Sequence, residues 1–225
     1  MTALTSRIAN TPRKRTFIGG SDARVVMGGD EAALLRLWRE KRGEAEPEDL
    51  SGNLIVQLGT ATEDLNRSWY ERNSGRRVTD VQRRVKHSAI PWMAATLDGI
   101  VEGAEAVFEA KFMLPWSFSE EAAAEKYMAQ LQHNMWVTHL RSAVLSIITG
   151  GGKWVEISIA ADPLYQHLLL TAEKKFWRCV SFGEPPVRGR TATAADRGGS
   201  DRRPGPVQFL GRVRSGVLLD PVRLP

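Results

Sequence analysis

One cysteine, Cys179, is present in 225 residues. A lone thiol excludes an intramolecular disulfide, a cysteine zinc site and an iron–sulfur cluster held by this chain's own thiols. No stretch approaches the roughly 18 apolar residues of a membrane span, and the basic N-terminus lacks the apolar core of a secretory signal. The expectation is a cytoplasmic protein with no membrane contact. Histidine is also scarce: His87, His133, His139 and His167 show no zinc-ligand spacing, and each reads as structural or exposed. The seven Trp fall mostly at helical spacing and read as core rather than as base-stacking residues.

Lysine and glutamate are missing from residues 188–225, where eight Arg face three Asp. That segment therefore holds the whole formal net charge of +5, and the preceding 187 residues are neutral overall. The high pI is a property of the tail and says little about what the fold itself binds. Three parts are expected: a basic, flexible arm at 1–16, one domain at 17–187, and a Gly/Pro/Arg-rich tail at 188–225. The tail has too little apolar periodicity to offset chain entropy and is expected to be disordered.

The domain reads as helices, strands, a helix, strands and a helix. Ser21-Asp22 before an apolar run signals a helix start near Ser21. Residues 31–42 repeat apolar side chains and stop at Gly43, and 53–74 form a long helix with the stripe Leu54, Leu58, Leu65, Trp69 and Tyr70, stopped by Gly75. Residues 76–87 alternate around Val78, Val81 and Val85 and suggest one partly exposed strand. Residues 120–139 are the strongest helical pattern. Residues 142–149 and 154–159 suggest a strand pair, and 162–182 a final helix capped by Asp162 with Pro163 in its first turn. This order predicts an α/β (α+β) fold with a central mixed sheet flanked by helices.

Chemistry concentrates between those helices. Asp98-Gly99 and Glu109-Ala110-Lys111 fall on a predicted hairpin punctuated by Gly99 and Gly103. Glu109 and Lys111, two residues apart, share one face of a strand. Two carboxylates and a lysine so placed can hold a divalent cation beside an activated water. A buried Glu–Lys ion pair that only supports the fold is the alternative. Glu63 places a carboxylate on the long helix. Tyr127, Gln130 and Asn134 share one face of the 120–139 helix, and that face is either solvated or turned to the site.

These residues resemble the YqaJ/lambda-exonuclease family of viral recombination nucleases, a branch of the PD-(D/E)XK superfamily. The likeness runs in family order from about residue 17 to 186. It rests on Ile18-Gly19-Gly20-Ser21-Asp22, Gly59 to Glu63 and on to Trp69-Tyr70, Ala94 to Gly99, Glu109-Ala110-Lys111, and Tyr127 to Thr138. The family's aromatic-rich segment before the serine motif is missing here, and Ala110 stands where a larger apolar residue is common.

The resemblance implies a restriction-endonuclease-like core in which Asp98, Glu109 and the Ala110 carbonyl bind Mg²⁺ or Mn²⁺. Glu63 assists a second ion, Lys111 orients or deprotonates the water, and Gln130 lies close to the catalytic centre. Ser21 belongs to a pocket for a terminal 5′-phosphate, with Lys14 and Arg15 as its charge and Tyr127 nearby. The implied activity is a metal-dependent exonuclease working 5′ to 3′ on double-stranded DNA ends, in phage-type recombination inside a bacterial host. Implied partners are a single-strand annealing protein and further copies of the chain in a ring, such as a trimer. A structure- or sequence-specific endonuclease, or a non-catalytic DNA-end-binding protein, are the competing readings.

Overall fold

Apolar strands with side chains on both faces need cover on both faces, and the helices supply it. The computed structural model describes residues 17–186 and 213–217. Within them, the main sheet has six strands in the order β1 (Val78–Thr79), β4 (Gly99–Val101), β5 (Ala106–Met113), β6 (Ser142–Thr149), β7 (Lys153–Ala160) and β8 (Val213–Val217). All neighbours are antiparallel except β5 and β6, which run parallel and are joined through α4 (Glu120–Thr138). A separate two-stranded sheet pairs β2 (Arg84–Lys86) with β3 (Ala94–Thr96).

Alternation along β5 divides the core. Val107 and Met113 join Leu131, Met135 and Ala123 of α4 on one face. Ala106, Phe108 and Ala110 meet Tyr70 of α3 (Leu54–Ser74) on the other. Glu109 and Lys111 thus share the α4 face by strand period alone. The same face also carries α1 (Gly20–Met27), α2 (Glu31–Arg42) and α5 (Pro163–Phe182). The expected mixed sheet between helices is the fold observed.

Most helix bounds follow local chemistry. Asp30, Asn53, Ser119 and Asp162 cap α2 to α5 by accepting backbone N–H bonds, and Gly43, Gly75 and Gly183 end three of them in the left-handed conformation. The first helix begins one residue earlier than its sequence signal. Gly19 is its N-cap, Ser21 lies in the first turn, and Asp22 Oδ2 accepts the Gly19 N–H at 2.7 Å.

Other expectations need correction. Residues 76–87 form two strands in two different sheets, because Asp80 (φ 53°) and Gln82 (φ 56°) turn the chain through the left-handed region. Asp98 precedes β4 rather than lying within a strand, at the point where the chain leaves the small sheet for the large one. Only the C-terminal part of the α3 stripe faces the core: Tyr70 is buried with Trp69 packed beside it, whereas Leu54 is 70% and Leu65 51% exposed, and Asn66 helps to seat the helix. Asn66 Nδ2 donates to the carbonyls of Lys111 (3.2 Å) and Ser146 (2.9 Å), while its Oδ1 accepts from Ser146 Oγ at 2.6 Å. In the Arg-rich tail, 213–217 is a strand rather than disordered chain, satisfying the backbone edge that β7 would otherwise expose. The rest of the tail and the arm at 1–16 lie outside the described residues.

Candidate active site

Glu109 is 1% exposed in the centre of the sheet, and three side chains converge on it. Its Oε1 accepts from Gln130 Nε2 at 2.5 Å and from Lys111 Nζ; its Oε2 accepts from Asn134 Nδ2 at 3.2 Å. Gln130 and Asn134 are one helical turn apart, so one face of α4 presents both amides to one carboxylate. The polar face of α4 is therefore turned to the site. The sequence placed Asn134 on that face without assigning it a role; its i+4 spacing from Gln130 was the signal.

Asp98 reaches the same place by a different route. Strand β4 begins only at Gly99, opposite Phe108, so among the described residues β5 has no strand partner on that side at Ala110. Asp98 Oδ2 fills the gap, accepting the Ala110 N–H at 2.9 Å. A strand residue's N–H and C=O point to the same neighbour, so the Ala110 carbonyl faces this edge as well. Gly99 is needed for the approach: a Cβ there would fall 2.2 Å from Val78 Cγ1.

The electrostatics tie these groups together. Burial pushes the Glu109 carboxyl up to about 7; the adjacent Lys111 ammonium opposes this, while Asp98 and Glu63 add repulsion. Burial works to lower Lys111, but Glu109 and Asp98 outweigh it and hold the ammonium above its ordinary range. Glu63, half-buried on α3, is raised first by burial and then by Asp98; its Oε1 accepts from Gln82 Nε2, a contact the sequence did not suggest. The structure therefore brings Asp98, Glu109, Ala110, Lys111, Gln130 and Glu63 into one electrostatic neighbourhood.

Among the described residues, no three His, Cys, Asp or Glu side chains converge into a ready-made metal-binding group. What is offered is two carboxylates with a main-chain carbonyl, and Glu63 coupled from α3. An oxygen-only set of mutually repelling carboxylates fits a hard divalent cation such as Mg²⁺.

The proposed end-binding residues are distributed unevenly. Ser21 is exposed in the first turn of α1, whose start packs on α4: a Cβ on Gly20 would lie 3.0 Å from Gln130 Cγ. Lys14 and Arg15 lie outside the described residues. Tyr127 is 6% exposed, so its ring is not presented for stacking. Instead the Arg24 guanidinium sits 4.8 Å from its centroid, with Lys111 and Lys126 at 5.4 and 5.5 Å. Arg24, one turn after Ser21, was not singled out from the sequence. Its buried Nε has no hydrogen-bond partner among the described residues, and it lines a cleft of about 820 Å³ with Met27, Lys126, Met128 and Tyr165. None of the described helices is long and apolar enough to cross a membrane.

The chain is similar to known proteins in sequence and in fold. The chain is 28% identical over 187 residues to the uncharacterized protein YqaJ of Bacillus subtilis (strain 168), covering 80% of this chain. It spans 58% of that relative's length. Among solved structures, an alkaline exonuclease from Laribacter hongkongensis superposes with a TM-score of 0.64 at 19% identity, over 76% of this chain and 91% of that one. A phage related exonuclease from Haemophilus somnus 129PT gives 0.59 at 13% identity, over 75% and 93%. At these identities the structural likeness is one of fold. Residues 11–141 match the YqaJ-like viral recombinase domain, and with more than half of its length so matched the chain belongs to that family.

Proposed function

We propose that this protein is a divalent-metal-dependent deoxyribonuclease that degrades linear double-stranded DNA from its ends, 5′ to 3′, in phage-type homologous recombination. Glu109 carries the reading. A carboxylate at 1% exposure, gripped by three donors and crowded by Asp98, is costly to bury and is suited to serving a cation. Family membership and the exonuclease titles of the Laribacter and Haemophilus structures support the same reading.

Asp98, Glu109 and the Ala110 carbonyl would hold Mg²⁺ or Mn²⁺, and Glu63 would assist a second ion. Bound there, such ions would supply an acidified water and neutralise charge on the phosphate oxygens. Lys111, beside Glu109, would orient or deprotonate the attacking water and counter charge on the phosphate. Gln130 fixes Oε1 of Glu109. Ser21 and the free N–H groups of the first turn of α1 form an anion site for a 5′-phosphate. Arg24 and Lys126 add charge beside Tyr127, as Lys14 and Arg15 would from the arm.

Partner copies forming a ring are part of this proposal, as is a single-strand annealing protein. Leu54, Ile55, Val56 and Leu65 expose apolar surface on α3 suited to contact with another chain. Equilibrium sedimentation should show an oligomer, and a monomer at micromolar concentration would remove the ring.

The decisive experiment is Mg²⁺-dependent digestion of 5′-phosphorylated linear duplex, with covalently closed circles as the control. Lys111→Ala and Asp98→Ala proteins should fold and lose about 10²-fold to 10⁴-fold in rate. Full activity in either variant would sink the assignment. Cutting of closed circles would indicate an endonuclease; duplex binding indifferent to EDTA, with no products, would indicate an end-binding protein.

A further inference from the structure

Asn134 is 1% exposed, and its two amide ends have different surroundings. Nδ2 donates to Glu109 Oε2 at 3.2 Å. Oδ1 is buried and has no hydrogen-bond partner among the described residues. That orphaned acceptor is turned toward the start of α1: a Cβ built on Gly20 would fall 2.4 Å from Oδ1 and 3.2 Å from Cγ of Asn134. Buried acceptors are rarely left unpaired, and an apolar side chain of similar volume would suit the packing better. Holding Glu109 is what the amide gains at this position.

From this geometry we infer that Asn134 is a positioning residue through which the N-terminus of α1 sets the orientation of the Glu109 carboxylate toward a bound cation. The inference rests on the nuclease reading of the site and assigns a coupling within it. Gly20 is the first residue of α1, and it lies against the amide of Asn134 and the Cγ methylene of Gln130, two side chains that hold Glu109. Any displacement of this helix end moves Asn134, whose side-chain amide has Glu109 as its sole hydrogen-bond partner among the described residues. Ser21, proposed to take the DNA end, is the next residue. The end-binding segment and the cation-binding carboxylate are thus joined chiefly through Asn134, with Gln130 beside it, and occupancy of either changes affinity at the other.

The test is calorimetric titration of Ca²⁺, without DNA, into the wild-type protein and into Asn134→Leu, Gly20→Ala, the double variant and Glu109→Ala. Groups that orient a metal ligand typically contribute about 10-fold to 100-fold in metal affinity, so Asn134→Leu should weaken Ca²⁺ binding by about ten-fold or more. Gly20→Ala touches no ligand and adds no polar group, yet it should weaken binding in the same direction. Because the added methyl of Gly20→Ala presses hardest on the Asn134 amide, 2.4 Å away against 3.0 Å for Gln130 Cγ, the double variant should be little weaker than the worse single variant. Wild-type Ca²⁺ affinity in Gly20→Ala overturns the coupling whether or not Asn134→Leu folds, and so do losses that multiply independently. Equal Ca²⁺ binding by wild type and Glu109→Ala would remove the metal reading itself, and this inference with it.

Discussion

His133 lies at the centre of α4 with 0% exposure, and both ring nitrogens face acceptors: Nδ1 is 2.8 Å from Glu173 Oε1 and Nε2 is 3.1 Å from the Ala94 carbonyl. A neutral imidazole has one N–H and can satisfy only one of them. An imidazolium satisfies both acceptors at once, bridging α4 to α5 and to β3. Burial works to lower its pKa, but the bond and charge of Glu173 outweigh burial and raise it above 6.5. Removing the ring in His133→Ala leaves Glu173 buried with neither oxygen hydrogen-bonded among the described residues, since Oε2 already lacks such a partner there. Breaking one side of a buried pair costs roughly 3–5 kcal/mol. At about 2–4 °C per kcal/mol for a domain of this size, Tm should fall by about 6–20 °C.

A group whose pKa is raised on folding contributes stability that is complete below its unfolded value. The contribution is lost as pH rises through the folded value. The gap between wild type and His133→Ala should therefore be widest below pH 6.5 and narrow above it. Thermal and urea unfolding from pH 5 to 9 measure this. A loss below about 1 kcal/mol, the size of one ordinary hydrogen bond, or a gap that does not change with pH, would refute the imidazolium argument.

Two further expectations concern the frame of the site. Asn66→Ala should destabilise by about 2–4 kcal/mol, because the carbonyls of Lys111 and Ser146 each lose a donor and the Ser146 hydroxyl its acceptor, although Ser146 keeps its bond from Trp154 Nε1; an effect under 0.5 kcal/mol in urea unfolding would show that α3 is held without Asn66. Gly99→Ala should cost about 1–3 kcal/mol by overpacking against Val78, and adding Val78→Ala should recover part of it. Failure of that recovery would place the strain elsewhere.

Element order, most helix ends and the mixed sheet were legible in the sequence because capping, turn chemistry and hydrophobic period act over a few residues. Asp162-Pro163, Gly43 and Gly75 bound their helices where they stand, whatever lies across the domain. The pairing of Glu109 with Lys111 was legible too, since strand period puts them on one face. The exposure of Leu54 and Leu65 was not: an apolar stripe states that a helix has a face to cover, but not which element or chain covers it. The split of residues 76–87 between two sheets was hidden because alternation does not report its partner strand.

The sequence by itself determined the types of element, their order and the residues able to carry chemistry, all of which follow from neighbours along the chain. Only the tertiary structure decided that Gln130 and Asn134 grip Glu109, that Asp98 closes the open edge at Ala110, and that Gly20 bears on Asn134. Those contacts join residues 12 to over 100 positions apart. Their geometry depends on how helices and sheet pack, which no local rule encodes.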